Sequence, residues 1–453
     1  TNIEALPEQL MRGIHVNKDN PVIPAILQAM GVIALPQSPD SDADTDSYQF
    51  SQVKYLQTKN MVDAKALHRP TWATLAKELR ALLRSSPETE LQIVDVGAGM
   101  LAMLKLILNG HEESLMPSII SLLLEDCVSN KALFTRIRYF AYEPNRELQS
   151  QCIEILEEMG FVRHTVDEHE NEHIFLGSST EGHEVELHLR LFDYNDDIGL
   201  PCKPDPHLIV GCCFADLMNP YHLVPSLIHR FLSHPSSTSS NTQLRNDCLF
   251  YFPITFQGIT QFIPPQPFQT GKIPSDTVAF ALYSKALEEQ HGHNLDPYLL
   301  INAIEAFGGT VLSHGHADWD IDPKRHPYLW ETMLYFFERV AGPELLKNGW
   351  DAVGWLDRAR RAKTPGTGKK HGKGEDQRPS ILVSNLDLLF RMPRLGCAKL
   401  ASEGSNESID DSIDEQEVGI EEIQFVAPHK VTTARKLGVS LGPKQVQICL
   451  LYT

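Results

Sequence analysis

The sequence has no apolar run approaching the ~18 residues that cross a bilayer. The longest candidates, Ser114 to Leu124 and Ile381 to Phe390, are broken by polar residues and read as core elements. No basic flank followed by an apolar stretch opens the chain, so no secretory signal is expected. It begins at Thr1 without Met, which points to trimming. Its eight cysteines form no C-x-x-C pair. Neither a thiolate zinc site nor a disulfide framework is therefore expected, and the usage suits a reducing, cytoplasmic setting. Positive charge is also scarce: 40 Lys and Arg stand against 59 Asp and Glu, for a net charge of −19. A chain without a basic face is not built to follow phosphate backbones, so neither nucleic acid nor membrane is an expected partner.

What is present is ordinary soluble protein: 453 residues, 42% hydrophobic and 22% charged, enough for two to three domains. Residues 1–88 read as a helical extension, with one short helix over Pro21 to Ala34, an acidic loop SPDSDADTDS, and an amphipathic helix over Thr71 to Arg84. Residues 89–398 then alternate short apolar runs with helical patterns. Strands are expected at Leu91 to Val96, Ile137 to Tyr142, Val185 to Phe192, His207 to Cys213 and Cys248 to Ile254, with helices at Arg146 to Met159 and Pro220 to Leu232. This rhythm predicts an α/β domain with a mainly parallel sheet and helices on both faces. Thr255 to Pro274 reads as a Pro/Gly-rich loop, followed by helices opened by Ser275 and by Asp296-Pro297. Together, about 255–365 form an expected helical cap. The basic run Arg358 to Arg378 reads as a surface loop, and Ile381 to Phe390 as a last strand or hairpin. Residues 399–422 lack basic side chains after Lys399 and read as an acidic linker.

The stretch LQIVDVGAGMLAML, 91–104, raises the question of ligand. Gly97, Gly99 and Ala102 satisfy a loose dinucleotide spacing. In open α/β sheets ligands sit beyond the carboxyl ends of the strands, so the residues that end each strand belong together. They are Asp95, Glu143, Asp193 and the run Cys213-Phe214-Ala215-Asp216. Three carboxylates repel a pyrophosphate. They suit a ligand carrying an ammonium, a sulfonium, a ribose diol and an adenine amino group.

The pattern resembles a class I S-adenosylmethionine (SAM)-dependent methyltransferase over about residues 71–390. The resemblance implies a Rossmann-like sheet, with Gly97, Ala98 and Gly99 admitting the methionine part and Asp95 facing its amino group. It implies that Glu143, in AYEPN with Pro144, accepts the ribose hydroxyls. Asp193 would take the adenine amino group between Phe192 and Tyr194, and Cys213 to Asp216, including Phe214, would line the floor near the methyl. Two departures stand out: Leu101 replaces the third glycine, and Glu143 follows Gly99 at more than twice the usual distance of about twenty residues. An inserted helical segment, roughly Gly110 to Lys131, accounts for the delay.

Methyl transfer needs a positioned nucleophile and, for hydroxyls and protonated amines, a base. His291 or His293 in EQHGHN are candidates, with Tyr283 or Asp216 assisting. SHGHADWD offers His314, His316 and Asp318, but its spacing matches no specific metal motif, and no metal is expected. Trp319, Trp330, Tyr335 and Phe336 suit either a cationic acceptor or, at helical spacing, the core. Within the final segment, 423–453, FVAPHKV and LGPKQVQI resemble the opening strands of zinc-type medium-chain alcohol dehydrogenases. That implies the methyltransferase part of a bifunctional chain; the alternative is a hairpin on the methyltransferase itself. The competing functions are a SAM-fold scaffold without catalysis, an NAD-dependent oxidoreductase, and methylation of a macromolecule guided by the basic loop.

Overall fold

A computed structural model describes residues 50–85, 89–125, 133–166, 172–191, 205–232, 247–266, 268–291, 296–362 and 380–394. The expected helix at Pro21 to Ala34, most of the basic run, the acidic linker and the dehydrogenase-like tail lie outside them.

The sheet grows from apolar runs that are buried on both faces. In β1 (Glu90–Val96), every residue from Leu91 onward is buried. Its side chains alternate between two cores: Leu91 and Ile93 join one, and Val94 and Val96 the other. β2 (Arg136–Tyr142) and β5 (Glu184–Arg190) follow in parallel on one side of β1. β6 (Leu208–Val210) and β7 (Asp247–Ile263) lie parallel on the other side. The chain therefore reverses direction of growth at β1, and the crevice between β1 and β6 is where ligands are expected.

β10 (Ser380–Pro393) runs antiparallel beside β7 and carries β8 (Thr310–His316) and the short β9 (Trp319–Ile321) on its far edge. At the opposite edge, β3 (Val162–Val166) and β4 (Glu172–Ser178) form an antiparallel hairpin on β5. The order is β3-β4-β5-β2-β1-β6-β7-β10-β8. A dinucleotide-binding sheet is parallel throughout its six central strands. Here a reversed strand is wedged before the last, giving the Rossmann-like class I methyltransferase sheet.

One face is covered by α1 (Gln52–Ala66), α2 (Arg69–Ser85), α3 (Ala102–Asn109), α4 (Ile119–Leu124) and α5 (Arg146–Glu158). α7 (Asp276–His291), α9 (Pro327–Lys347) and α10 (Ala352–Ala362) pack into the same core. α6 (Pro220–Leu232) and α8 (Pro297–Ala306) cover the other face. None of these helices is long and apolar enough to cross a membrane.

Two expectations are corrected here. The Thr255 to Pro274 segment is not all loop, because β7 continues to Ile263 against β10. Its polar residues and Gly258 fall at a bulged register, which hid the strand. The segment expected to form one cap is split as well: α7, α9 and α10 lie on one face of the sheet, α8 packs on the other, and β8 and β9 belong to the sheet.

The bulge is braced by Asp387, fully buried in β10. Its carboxylate accepts the backbone N–H of His68 at 2.7 Å, that of Ile254 at 3.0 Å and the Tyr251 hydroxyl at 3.0 Å. One side chain thus ties the entry of α2 to β7.

Candidate functional site

After Val96 the backbone turns through Gly97 at φ +67° and Gly99 at φ +52°. Only glycine takes these angles without strain. At Gly97 a Cβ would also stand 2.8 Å from Cδ2 of Phe214. Leu101 has φ +59° at the N-cap of α3 without the licence of glycine. Its side chain is fully buried, so burial worth about 1.5–3 kcal/mol offsets a left-handed cost of about 1–2 kcal/mol. The Ala98 N–H donates to the Tyr142 carbonyl at 2.9 Å, tying the turn to the end of β2.

Asp95 is buried beside this turn. Its Oδ2 accepts the Tyr139 hydroxyl at 2.6 Å, whereas Oδ1 has no hydrogen-bond partner. Burial raises its carboxyl to about 7, against the opposing pull of the Tyr139 hydrogen bond. Asp95 lines a cavity of about 330 Å³, solvent at its mouth included, with Gly97 to Met100, Leu56, Lys59, Asn60 and Cys212. The glycine turn, the orphan oxygen and the concavity converge.

Glu143 lies at the end of β2 and is 1% exposed. Its Oε2 accepts the Gly99 N–H and its Oε1 the Asn145 N–H, both at 2.8 Å. It therefore clamps the glycine turn to the start of α5, across the half-buried Pro144. Phe192, Asp193, Tyr194 and His293 lie outside the described residues. His291 is placed only as the last backbone residue of α7.

A second cavity, of about 360 Å³ with its open mouth, lies on the other side of the turn that follows β6. Asp216, Tyr283 and Cys213 line it, with Trp319, Thr260 and Asn385. Two of the residues anticipated for acceptor chemistry, Asp216 and Tyr283, thus meet there. Asp216 Oδ1 and Thr260 Oγ1 lack partners, so the lining offers a carboxylate acceptor and a hydroxyl donor. Burial raises the Asp216 carboxyl to about 6, although backbone N–H groups pull it down.

Sequence reading did not single out Thr260 or Asn385. Thr260 was assigned to a loop, and Asn385 comes from the far strand β10. Trp319 is buried, and it enters the cavity because the chain breaks between β8 and β9: the Ala317 N–H donates to Asn385 O, and the Asn385 N–H to Asp318 Oδ1, each at 2.9 Å. The neighbouring histidines do not converge on Asp318. His314 and His316 stand exposed on β8. Trp330 and Phe336 are core residues, and Tyr335 packs against them.

The wall between the two cavities was also missed. Lys59, on α1, reaches Asp63 at 2.7 Å with both side chains almost fully buried. Burial alone would lower the Lys59 ammonium; Asp63 and the adjacent thiols outweigh it and hold it well above its ordinary value. Cys212 faces the first cavity and Cys213 the second.

No family model and no curated protein matches the sequence. Among solved structures the chain is similar to a candidate methyltransferase from Bacillus halodurans: 9% identity, TM-score 0.31, covering 71% of this chain and 100% of that one. It is also similar to a SAM-dependent methyltransferase from Aquifex aeolicus: 10% identity, TM-score 0.27, covering 60% and 93%. A third is the geranyl diphosphate C-methyltransferase of Streptomyces coelicolor, solved with Mg2+, geranyl diphosphate and S-adenosyl-L-homocysteine: 9% identity, TM-score 0.29, covering 83% and 100%. At such identities and scores, any functional reading rests on this chain's own topology and site.

Proposed function

We propose that this chain is a SAM-dependent methyltransferase acting on a small-molecule acceptor. The observation that carries the reading is Asp95, buried at the cavity wall with one oxygen held by Tyr139 and the other unpartnered. An unsatisfied buried acceptor costs about 1–3 kcal/mol, which a ligand ammonium placed there recovers. Gly97, Ala98 and Gly99 would admit the methionyl chain. Glu143 and Pro144 would border the ribose, and Asp193, Phe192 and Tyr194 the adenine. Phe214, packed against Gly97, would form the floor, and Cys213 would border the methyl from the second cavity. A pyrophosphate in the same place would instead meet the charges of Asp95 and Glu143.

SAM, when bound, supplies a methyl group on a sulfonium. The chain's own residues would place the nucleophile and take its proton. Asp216 is poised for the second task, because a carboxyl near pH 6 is mostly ionised at neutral pH yet basic enough to accept a proton. Tyr283, and His291 or His293 at the end of α7, are the assisting candidates. The tail resemblance extends this reading to a bifunctional methyltransferase-oxidoreductase, with the second activity lodged in its own domain.

The test is thermal unfolding with SAM, S-adenosylhomocysteine or NADH. Both sulfur ligands should raise the midpoint and NADH should not, and the gain should disappear in Asp95→Asn. Stabilisation by NADH alone would overturn the proposal.

A further inference from the structure

We propose a soft divalent-cation site, of zinc or cadmium type, formed by Asp63, Cys212 and Cys213 in the wall between the two cavities. It is independent of the reading of the first cavity as a SAM pocket.

The ligand atoms of these three residues lie within 4.8 Å of one another. Adjacent residues on an extended strand point to opposite faces, so neighbouring cysteines ordinarily cannot share a ligand. Here the chain has just left β6, and Cys213 takes a left-handed φ of +52°, which brings both thiols together at a sulfur–sulfur distance of 3.8 Å. Two sulfurs bound to one zinc at ~2.3 Å and the tetrahedral angle stand about 3.8 Å apart. The pair already has the separation the ion requires.

The third ligand has a free position. Lys59 occupies only Oδ2 of Asp63, while the buried Oδ1 lacks a hydrogen-bond partner. The Trp319 indole faces the Asp63 carboxyl without completing a good hydrogen bond.

Charge decides whether so buried a cluster can take a cation. The Lys59–Asp63 pair is neutral as an ion pair. Binding replaces two thiol protons by one divalent cation. Two thiolates and one carboxylate then balance the cation and the Lys59 ammonium, so neutrality is kept. Sulfur donors select soft or borderline ions over magnesium and calcium. Three protein ligands also leave one exchangeable position on a tetrahedral ion, the arrangement of catalytic rather than structural zinc. Cys212 lines one cavity and Cys213 the other.

The experiment titrates the full reduced chain anaerobically with cadmium, reading the ultraviolet thiolate-to-cadmium absorption and, at constant pH, the protons released. One strongly bound ion per chain should appear with release of two protons, and zinc in large excess should compete with it. Cys212→Ser and Cys213→Ser should each remove that band, Asp63→Asn should weaken binding at least tenfold, and Cys248→Ser should change nothing. A band unchanged in the Cys212→Ser/Cys213→Ser double variant overturns the proposal. So does the absence of proton release from the wild-type chain, a readout that needs no variant to fold.

Discussion

At the scale of single residues, the sequence made the glycine turn and its acid visible because their chemistry is local. A strand, an acid and two glycines one apart can be read without knowing the fold. What was not legible is how each acid is held. Asp95 and Glu143 look alike in sequence, yet one keeps an oxygen without a partner and the other has both oxygens engaged by backbone N–H groups. That difference yields a pH prediction. The Asp95 carboxyl rises from an unfolded value near 3.9 to about 7 on folding. The folded chain therefore binds this proton more tightly. The resulting stabilisation is complete below about pH 4 and is lost as pH rises through about 7. Asn in its place does not titrate. Asp95→Asn should thus gain on the wild type in unfolding midpoint as pH rises from 5 to 8, without ligand. SAM should bind the ionised form, so its affinity for the wild type should climb up to about tenfold per pH unit towards 7 and then level off. Parallel stability curves for the two proteins across that range would show that Asp95 does not carry the raised value.

At the scale of elements, helices with a clean apolar stripe were legible, and the one that matters most for the site was not. Thr71 to Arg84 announced α2, and Pro220 to Leu232 gave α6. α1 stayed hidden although its buried positions Tyr55, Leu56, Lys59, Val62 and Asp63 follow helical spacing. Two of those five are charged, so the face that enters the interior does not look apolar. Sequence rules fail most often where function overrides them, and α1 fits that pattern. The same pair sets a stability test. Lys59→Met strands a buried carboxyl and should cost about 3–5 kcal/mol in urea unfolding. Adding Asp63→Leu removes the stranded group, and the double variant should recover most of that loss. A double variant no more stable than Lys59→Met would mean that the pair is not coupled and that α1 is held by its apolar residues alone.

At the scale of the whole molecule, the alternation of strands and helices predicted the parallel half of the sheet. Ile381 to Phe390 was also expected as a last strand and is β10, but the β3–β4 hairpin and the full length of β7 were not predicted. The β3–β4 hairpin contains His, Glu and Arg in strand positions, and β7 passes through a bulge at polar residues, so neither shows a simple period of two. The β7–β10 pairing is fixed by partners far away in sequence, above all by Asp387. Among the described residues, the sheet order β3-β4-β5-β2-β1-β6-β7-β10-β8 and both hydrophobic cores are built from the segment between Phe50 and Arg394. A domain is the unit that owns its core. The fragment 50–394 should therefore unfold cooperatively with the same midpoint as the full chain and keep its midpoint gain with SAM. The comparison, by calorimetry on both proteins with and without SAM, also separates the two readings of the tail. A separate dehydrogenase-like unit leaves the fragment's midpoint unchanged. A hairpin packed on the methyltransferase lowers it by the burial that is lost, at about 25 cal/mol for each Å² of apolar surface uncovered.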